Sequence, residues 1–287
     1  MPDQVVLTLS FVAALAILPG LLRRHAGFPG GPSGGFLLSG LAGLLGYVVW
    51  DLFAHGFLPV TSAIEQLRDR LDDATTMLTL GALFLAGIAL AFGLLMWRDA
   101  ELDRAEGAPA EGGRHSVGPG TVAAAELTGV ATAAGARRRA MVLAAGLGLH
   151  GVLVGLAIGS NGKRDEIAFT CMLAIAAGLY ALAQGYLLAG IFREGARLSL
   201  GTRLLMALTV GAPLFLATLG GMYLSEDEAT VGLCGLAGGA LAYAALRLVL
   251  GAAERHGKRL AVWGVLTGLL VGFVGDILLI TFAGSVD

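Results

Sequence analysis

Long apolar stretches separated by short polar ones dominate the chain, and their length is the first fact to interpret. Eight of them stand out: Val5 to Leu22, Phe36 to Leu58, Met77 to Trp97, Ala140 to Gly159, Ile167 to Phe192, Leu204 to Tyr223, Thr230 to Gly251 and Leu260 to Phe282. A hydrocarbon core about 30 Å thick needs around 20 apolar residues of helix, and every backbone group inside it must be paired within the segment. The pattern therefore predicts an all-α, polytopic integral membrane bundle of eight transmembrane helices. The strands of a membrane β-barrel would be shorter and would alternate apolar with polar, which these stretches do not.

Most connections are short, as between antiparallel neighbours in a compact bundle. The exception divides the chain into three parts. Residues 1–97 carry helices 1–3, residues 98–139 form a long link, and residues 140–287 carry helices 4–8. The first half of the link is rich in Asp, Glu, Pro and Gly, and Thr121 to Ala136 is a run of Ala, Thr and Gly. Such low apolar content predicts a disordered or loosely held segment.

Composition sharpens this reading. A mean hydropathy of +0.79, with 56% hydrophobic and 14% charged residues, is far from the values of a water-soluble domain. The net charge of -2 and the scatter of Lys and Arg between apolar stretches argue against a nucleic-acid partner. Those cations report orientation instead. With the N-terminus outside, about 14 basic residues, among them Arg23, Arg24, Arg137 to Arg139, Arg193, Arg197, Arg203, Lys258 and Arg259, fall in cytoplasmic connections, and about four fall outside. Both termini are then expected to be external and the link cytoplasmic. No Lys or Arg precedes the first apolar run, which reads as a retained helix and not as a signal peptide. Cys171 and Cys234 lie in or beside apolar segments without a CxxC spacing and read as buried thiols.

The many glycines inside the segments read as contacts that let membrane helices approach closely. A short echo links the second and seventh segments. Gly40-Leu41-Ala42-Gly43 and Gly235-Leu236-Ala237-Gly238 are each followed by a Tyr and then a single charge. Since the two segments run in opposite directions, a relation between them would be an inverted repeat.

Ionisable and polar groups within the membrane are costly and mark pathways. The candidates are Asp51, His55, His150, Gln184, Arg247 and Asp276, with Tyr180 beside them. At 1.5 Å of rise per residue, His150 lies near the midplane and Gln184 about one turn to the cytoplasmic side, while Asp51 and Asp276 lie roughly 6–8 Å toward the outside. Asp51, His55 and Asp276 could line one external vestibule. The spacing of four between Asp51 and His55 suits two ligands for one cation, and equally a hydrogen-bonded pair that steadies the bundle. Arg247 reads as snorkelling to the inner interface.

His150-Gly151-Val152-Leu153-Val154-Gly155-Leu156-Ala157-Ile158-Gly159 resembles the fourth-helix signature of the ZIP (Zrt/Irt-like) metal transporters, roughly H-N-x-P-E-G-x-A-x-G. Gln184-Gly185-Tyr186 running to Arg193 resembles the fifth-helix E-G pattern, Asp51 through Pro59 the end of the second helix, and Ala212-Pro213 the sixth-helix E-P pair. Eight helices, external termini and a long link between helices three and four are also similar to that family.

The resemblance implies a transporter in the plasma or inner cell membrane that carries a divalent cation such as zinc as its substrate. It has no catalytic role, and its partners are the lipid bilayer, a divalent cation or small solute, and a second copy in a homodimer. It implies metal ligands at His150 and Gln184, and the membrane polar residues Asp51, His55 and Asp276 are further candidates. The departures fall on the family's ligands. Gly151 and Val154 stand at the Asn and Glu positions of the fourth helix, Tyr180 and Ala181 at the polar pair of the fifth, Gln184 at its Glu, and Ala212 at the Glu of the sixth. The alternative is a ZIP-like scaffold that carries another solute, or acts as a sensor or partner protein, without metal transport. An intramembrane enzyme finds no support, since there is no HExxH and no pair of aspartates within one motif.

Overall fold

A computed structural model describes residues 2–22, 32–69, 74–107, 141, 144–145, 147–164, 167–191, 199–224 and 226–283. The elements are α1 (Asp3–Leu15), α2 (Leu18–Leu22), α3 (Pro32–Arg68), α4 (Ala74–Gly107), α5 (147–163), α6 (Ile167–Ile191), α7 (Leu200–Gly221), α8 (Asp227–His256) and α9 (Lys258–Ala283). The described residues form helices and the turns between them, with no strand. Among them, seven helical stretches are long and apolar enough to cross a membrane, α1 and α2 together counting as one. The predicted segment Ala140 to Gly159 is described at 141, 144–145 and 147–159, all of them helical.

Pro19 separates α1 from α2. It has no N–H to offer the carbonyl one turn back, so the helix ends at Leu15 and restarts at Leu18. The second predicted segment runs ten residues beyond its expected end at Leu58, through Pro59 to Arg68. The tail Ala63-Ile64-Glu65-Gln66-Leu67-Arg68 favours helix, and Val60 and Ala63 are buried against Leu80, Phe84 and Val231. The third also overruns. Helix α4 continues past Trp97 to Gly107, into the first residues of the stretch read as the link. Ala100, Glu101, Leu102, Arg104, Ala105 and Glu106 are good helix formers and need no apolar face to extend a helix already begun. The rest of the link, like Arg23, Arg24, Arg193 and Arg197, lies outside the described residues.

Four helix pairs lie side by side and run in the same direction: α1 with α6, α5 with α7, α4 with α8, and α3 with α9. Glycine makes each approach possible. A Cβ on Gly185 would strike the Ile17 carbonyl, one on Gly155 the Leu214 carbonyl, one on Gly87 the Gly232 carbonyl at 2.6 Å, and one on Gly43 the Val265 carbonyl. Lipid tails are as apolar as leucine, so cohesion between these helices comes from contact distance and not from exclusion of water.

Exchanging α1 with α7, α3 with α8, α4 with α9 and α5 with α6 leaves this pairing unchanged, and the antiparallel contacts α3–α8 and α1–α7 map onto themselves. The pairing thus has the symmetry of an inverted repeat. The two tyrosines of the echo occupy equivalent places. Tyr47 of α3 packs edge-on against Phe273 of α9 (6.3 Å, 74°), and Tyr243 of α8 against Phe92 of α4 (5.7 Å, 89°).

The pairing also brings the start of α1 and the end of α9 to one face. There Lys163 meets Asp3 at 2.8 Å and Arg164 meets Asp227 at 2.6 Å, so two adjacent cations at the end of α5 reach the acidic first turns of α1 and α8. Just beneath, the Ser160 hydroxyl donates to the Leu224 carbonyl at 2.8 Å and lies 2.8 Å from Thr230 Oγ1, while Asn161 Nδ2 donates to the Ala157 carbonyl at 2.8 Å. At the opposite face Arg203 donates to the carbonyls of Leu21 and Leu22 at 3.2 and 3.3 Å, satisfying the end of α2. The ion pairs are exposed, so Lys163→Ala and Arg164→Ala should each change stability by less than about 1 kcal/mol. Thermal unfolding in detergent at low and high salt reads this, and a larger loss that salt does not reproduce would show a role beyond charge pairing.

Candidate functional site

Four helices meet around a small cavity of about 20 Å³. Leu147, His150, Gly151 and Val154 face it from α5, and Ala177, Tyr180, Ala181 and Gln184 face it from α6. Spacings of three and four keep each set on one face of its helix. The remaining walls come from α1 and α7, through residues such as Ala14 and Gly211. Each contributing helix is the exchange partner of another, α5 of α6 and α1 of α7, so the cavity lies on the relation that interchanges the two halves.

The sequence candidates His150 and Gln184 thus line one space. His150 is 6% exposed, and its Nε2 has no hydrogen-bond partner. Its ring lies 4.9 Å from that of Tyr180, inclined at 52°. The residues at the ZIP ligand positions Gly151, Val154 and Ala181 also face the cavity and bring no ligand atom to it. On α7 the cavity is faced by Val210, Gly211 and Leu214 and not by Ala212, so the wall from this helix is turned away from the position that the sequence comparison singled out.

Asp51, His55 and Asp276 lie elsewhere. His55 Nδ1 sits 3.2 Å from Asp51 Oδ1 and 3.0 Å from the Asp51 carbonyl, and the His55 ring stacks on Phe169 of α6 at 4.2 Å and 15°. The spacing of four thus brings the two side chains together, which both readings of the pair require. Asp51 is 8% exposed, and its other oxygen, Oδ2, has no partner. Asp276 instead accepts a 2.8 Å hydrogen bond from the Tyr47 hydroxyl. Arg247 is exposed, as expected of a side chain reaching for an interface.

Among the described residues, no group of three or more His, Cys, Asp and Glu side chains is placed to hold one metal ion. Asp51 and His55 offer at most a two-residue start, with Asp276 engaged by Tyr47. Cys234 is buried and Cys171 partly so, and neither is in a disulfide.

Sequence reasoning missed Tyr47 and Thr170. Tyr47 is one turn before Asp51, which puts Tyr47, Asp51 and His55 on a single stripe of α3, and that spacing was available to find it. Thr170 is fully buried, and its Oγ1 has no hydrogen-bond partner. It stands seven residues before Ala177, on the face of α6 that borders the cavity, and an isolated threonine in an apolar helix carries no signal to mark it. No family model matches the chain, and no curated protein matches it.

Proposed function

We propose that the chain is a membrane transporter of the ZIP type, with eight transmembrane helices, both termini external, and a central site between α5 and α6 built on His150 and Gln184. One observation carries the reading. A buried imidazole with a free ring nitrogen faces a cavity that sits where the two halves of an inverted repeat meet, and transporters built on such repeats hold their substrates near the midplane at the repeat interface.

On the ZIP resemblance the cargo is a divalent cation such as zinc. His150 would supply a nitrogen ligand and Gln184 an oxygen, and the Asp51–His55 pair with Asp276 would mark the outer part of the route. A plasma or inner membrane location and a homodimer belong to the same reading. A ZIP-like scaffold that carries another solute, or none, is the second reading. Its support is the cavity wall, where the described lining residues include no carboxylate and no thiol, whereas zinc sites in proteins draw about four ligands from Cys, His and carboxylates.

Uptake of zinc, manganese or iron(II) by liposomes containing the purified full chain is the test of the metal reading. The expected result is uptake that His150→Ala reduces to the level of protein-free vesicles. Uptake of none of these metals by the unaltered protein would exclude metal cargo, and uptake indifferent to His150→Ala would exclude the central site.

A further inference from the structure

The chemistry of the central cavity narrows its cargo further, on the premise that the chain is a transporter. We infer that the site between α5 and α6 takes a neutral hydrogen-bonding molecule of water size, with water and ammonia as the two candidates, and that the protein conducts it.

Size is the first argument. A cavity of about 20 Å³ exceeds the roughly 10–15 Å³ that one water needs. Polarity is the second. The walls are mostly apolar, yet an imidazole, a phenol and an amide face the space and supply the polar partners that a buried water needs. Buried polar atoms are rarely left bare, so the unpartnered His150 Nε2 calls for a small molecule that completes its hydrogen bond.

Charge decides between solutes. A divalent cation stripped of water needs anionic partners, and the described lining residues supply none. A molecule that both donates and accepts also satisfies Nε2 whichever ring nitrogen of His150 carries the hydrogen, and both water and ammonia do so. Thr170 adds an independent mark. Its buried, unpartnered hydroxyl lies two helical turns from Ala177 on the same face of α6, where a second molecule of this kind would complete a hydrogen bond on the way to the cavity.

The full chain in liposomes provides the test. Water permeability is read by stopped-flow light scattering after an osmotic step, and ammonia permeability by the rate at which an enclosed pH dye turns alkaline after addition of an ammonium salt. Zinc uptake is measured in the same preparation. The expected result is a several-fold rise over protein-free vesicles in one of the first two, which identifies the conducted species. His150→Phe, which fills the cavity, should remove the rise. Gln184→Leu should reduce it, and the lipid-facing change Val274→Ala should leave it unchanged. Should His150→Phe fail to give monodisperse protein, Val154→Phe blocks the same space from a neighbouring turn.

No rise in either permeability overturns the inference. Zinc uptake without such a rise does so too, yet leaves the transporter reading standing, whereas absence of all three fluxes removes both. A rise that neither blocking variant diminishes overturns the assignment of the path to this cavity.

Discussion

Gly268→Ala is expected to destabilise the bundle by about 1–3 kcal/mol or more, the range seen when methylene groups are forced into a packed interior. The new Cβ would meet the Gly40 carbonyl oxygen and lie 2.7 Å from the Leu44 nitrogen, and both belong to the backbone of α3. A clash with a side chain can be relieved by rotating it. Here only separation of the two helices relieves it, and separation gives up the close contact that holds α9 to the bundle. Gly43→Ala should act alike through the Val265 backbone.

The contrast that makes the prediction specific is Gly93→Ala. Nothing lies within 4 Å of a Cβ at that position, so the substitution should gain up to about 1 kcal/mol of helix propensity. Denaturation in mixed detergent, compared across the three variants, reads both signs. Equal stability of Gly268→Ala and Gly93→Ala would mean that α3 and α9 are not in backbone contact.

Asp51→Leu is expected to raise stability, an unusual direction for a buried position. A carboxylate deep in a membrane helix costs on the order of 2.5–3.5 kcal/mol on insertion scales. In this fold one of its oxygens has no hydrogen bond to offset that cost. What the substitution removes is the contact with His55, whose Nδ1 retains the Asp51 backbone carbonyl at 3.0 Å and whose ring retains Phe169. A net gain of about 1 kcal/mol follows if the lost contact is worth the roughly 1.5–3 kcal/mol of a hydrogen bond to a charged group. A thermal midpoint above that of the unaltered protein is the expected outcome. A fall would show that Asp51 is satisfied by a partner that the fold does not reveal. A residue that destabilises its own fold is retained for what it does, so the same variant should be assayed for flux.

The spanning helices were legible in the sequence because the bilayer imposes both a minimum length and an apolar composition on each. Their extensions were not. Pro59 and the charged run after Trp97 look like terminators, yet one is accommodated within α3 and the other is helical as far as Gly107. Pairing was legible only as a hint. Gly40, Gly43, Gly235 and Gly239 announce close contacts, but a glycine does not name its partner, and the parallel pairs α3–α9 and α4–α8 join helices far apart in the chain. In the candidate site, His150 and Gln184 stood out because polar groups are rare in these segments. Tyr47 was hidden, because a tyrosine in a membrane helix passes for an aromatic packing residue until Asp276 is found against its hydroxyl.

The repeat that relates the two halves extends to shape and stops short of charge. Four residues after its tyrosine, α3 carries Asp51, and four residues after its own, α8 carries Arg247. The two helices are antiparallel, so these steps lead toward opposite faces, placing an anion on one side and a cation on the other. A symmetric scaffold thereby acquires an electrical polarity along the membrane normal. A transmembrane voltage acts on such a charge pattern with about 2.3 kcal/mol per elementary charge per 100 mV of full crossing. The scaffold is symmetric in its helix pairing and asymmetric in its charge.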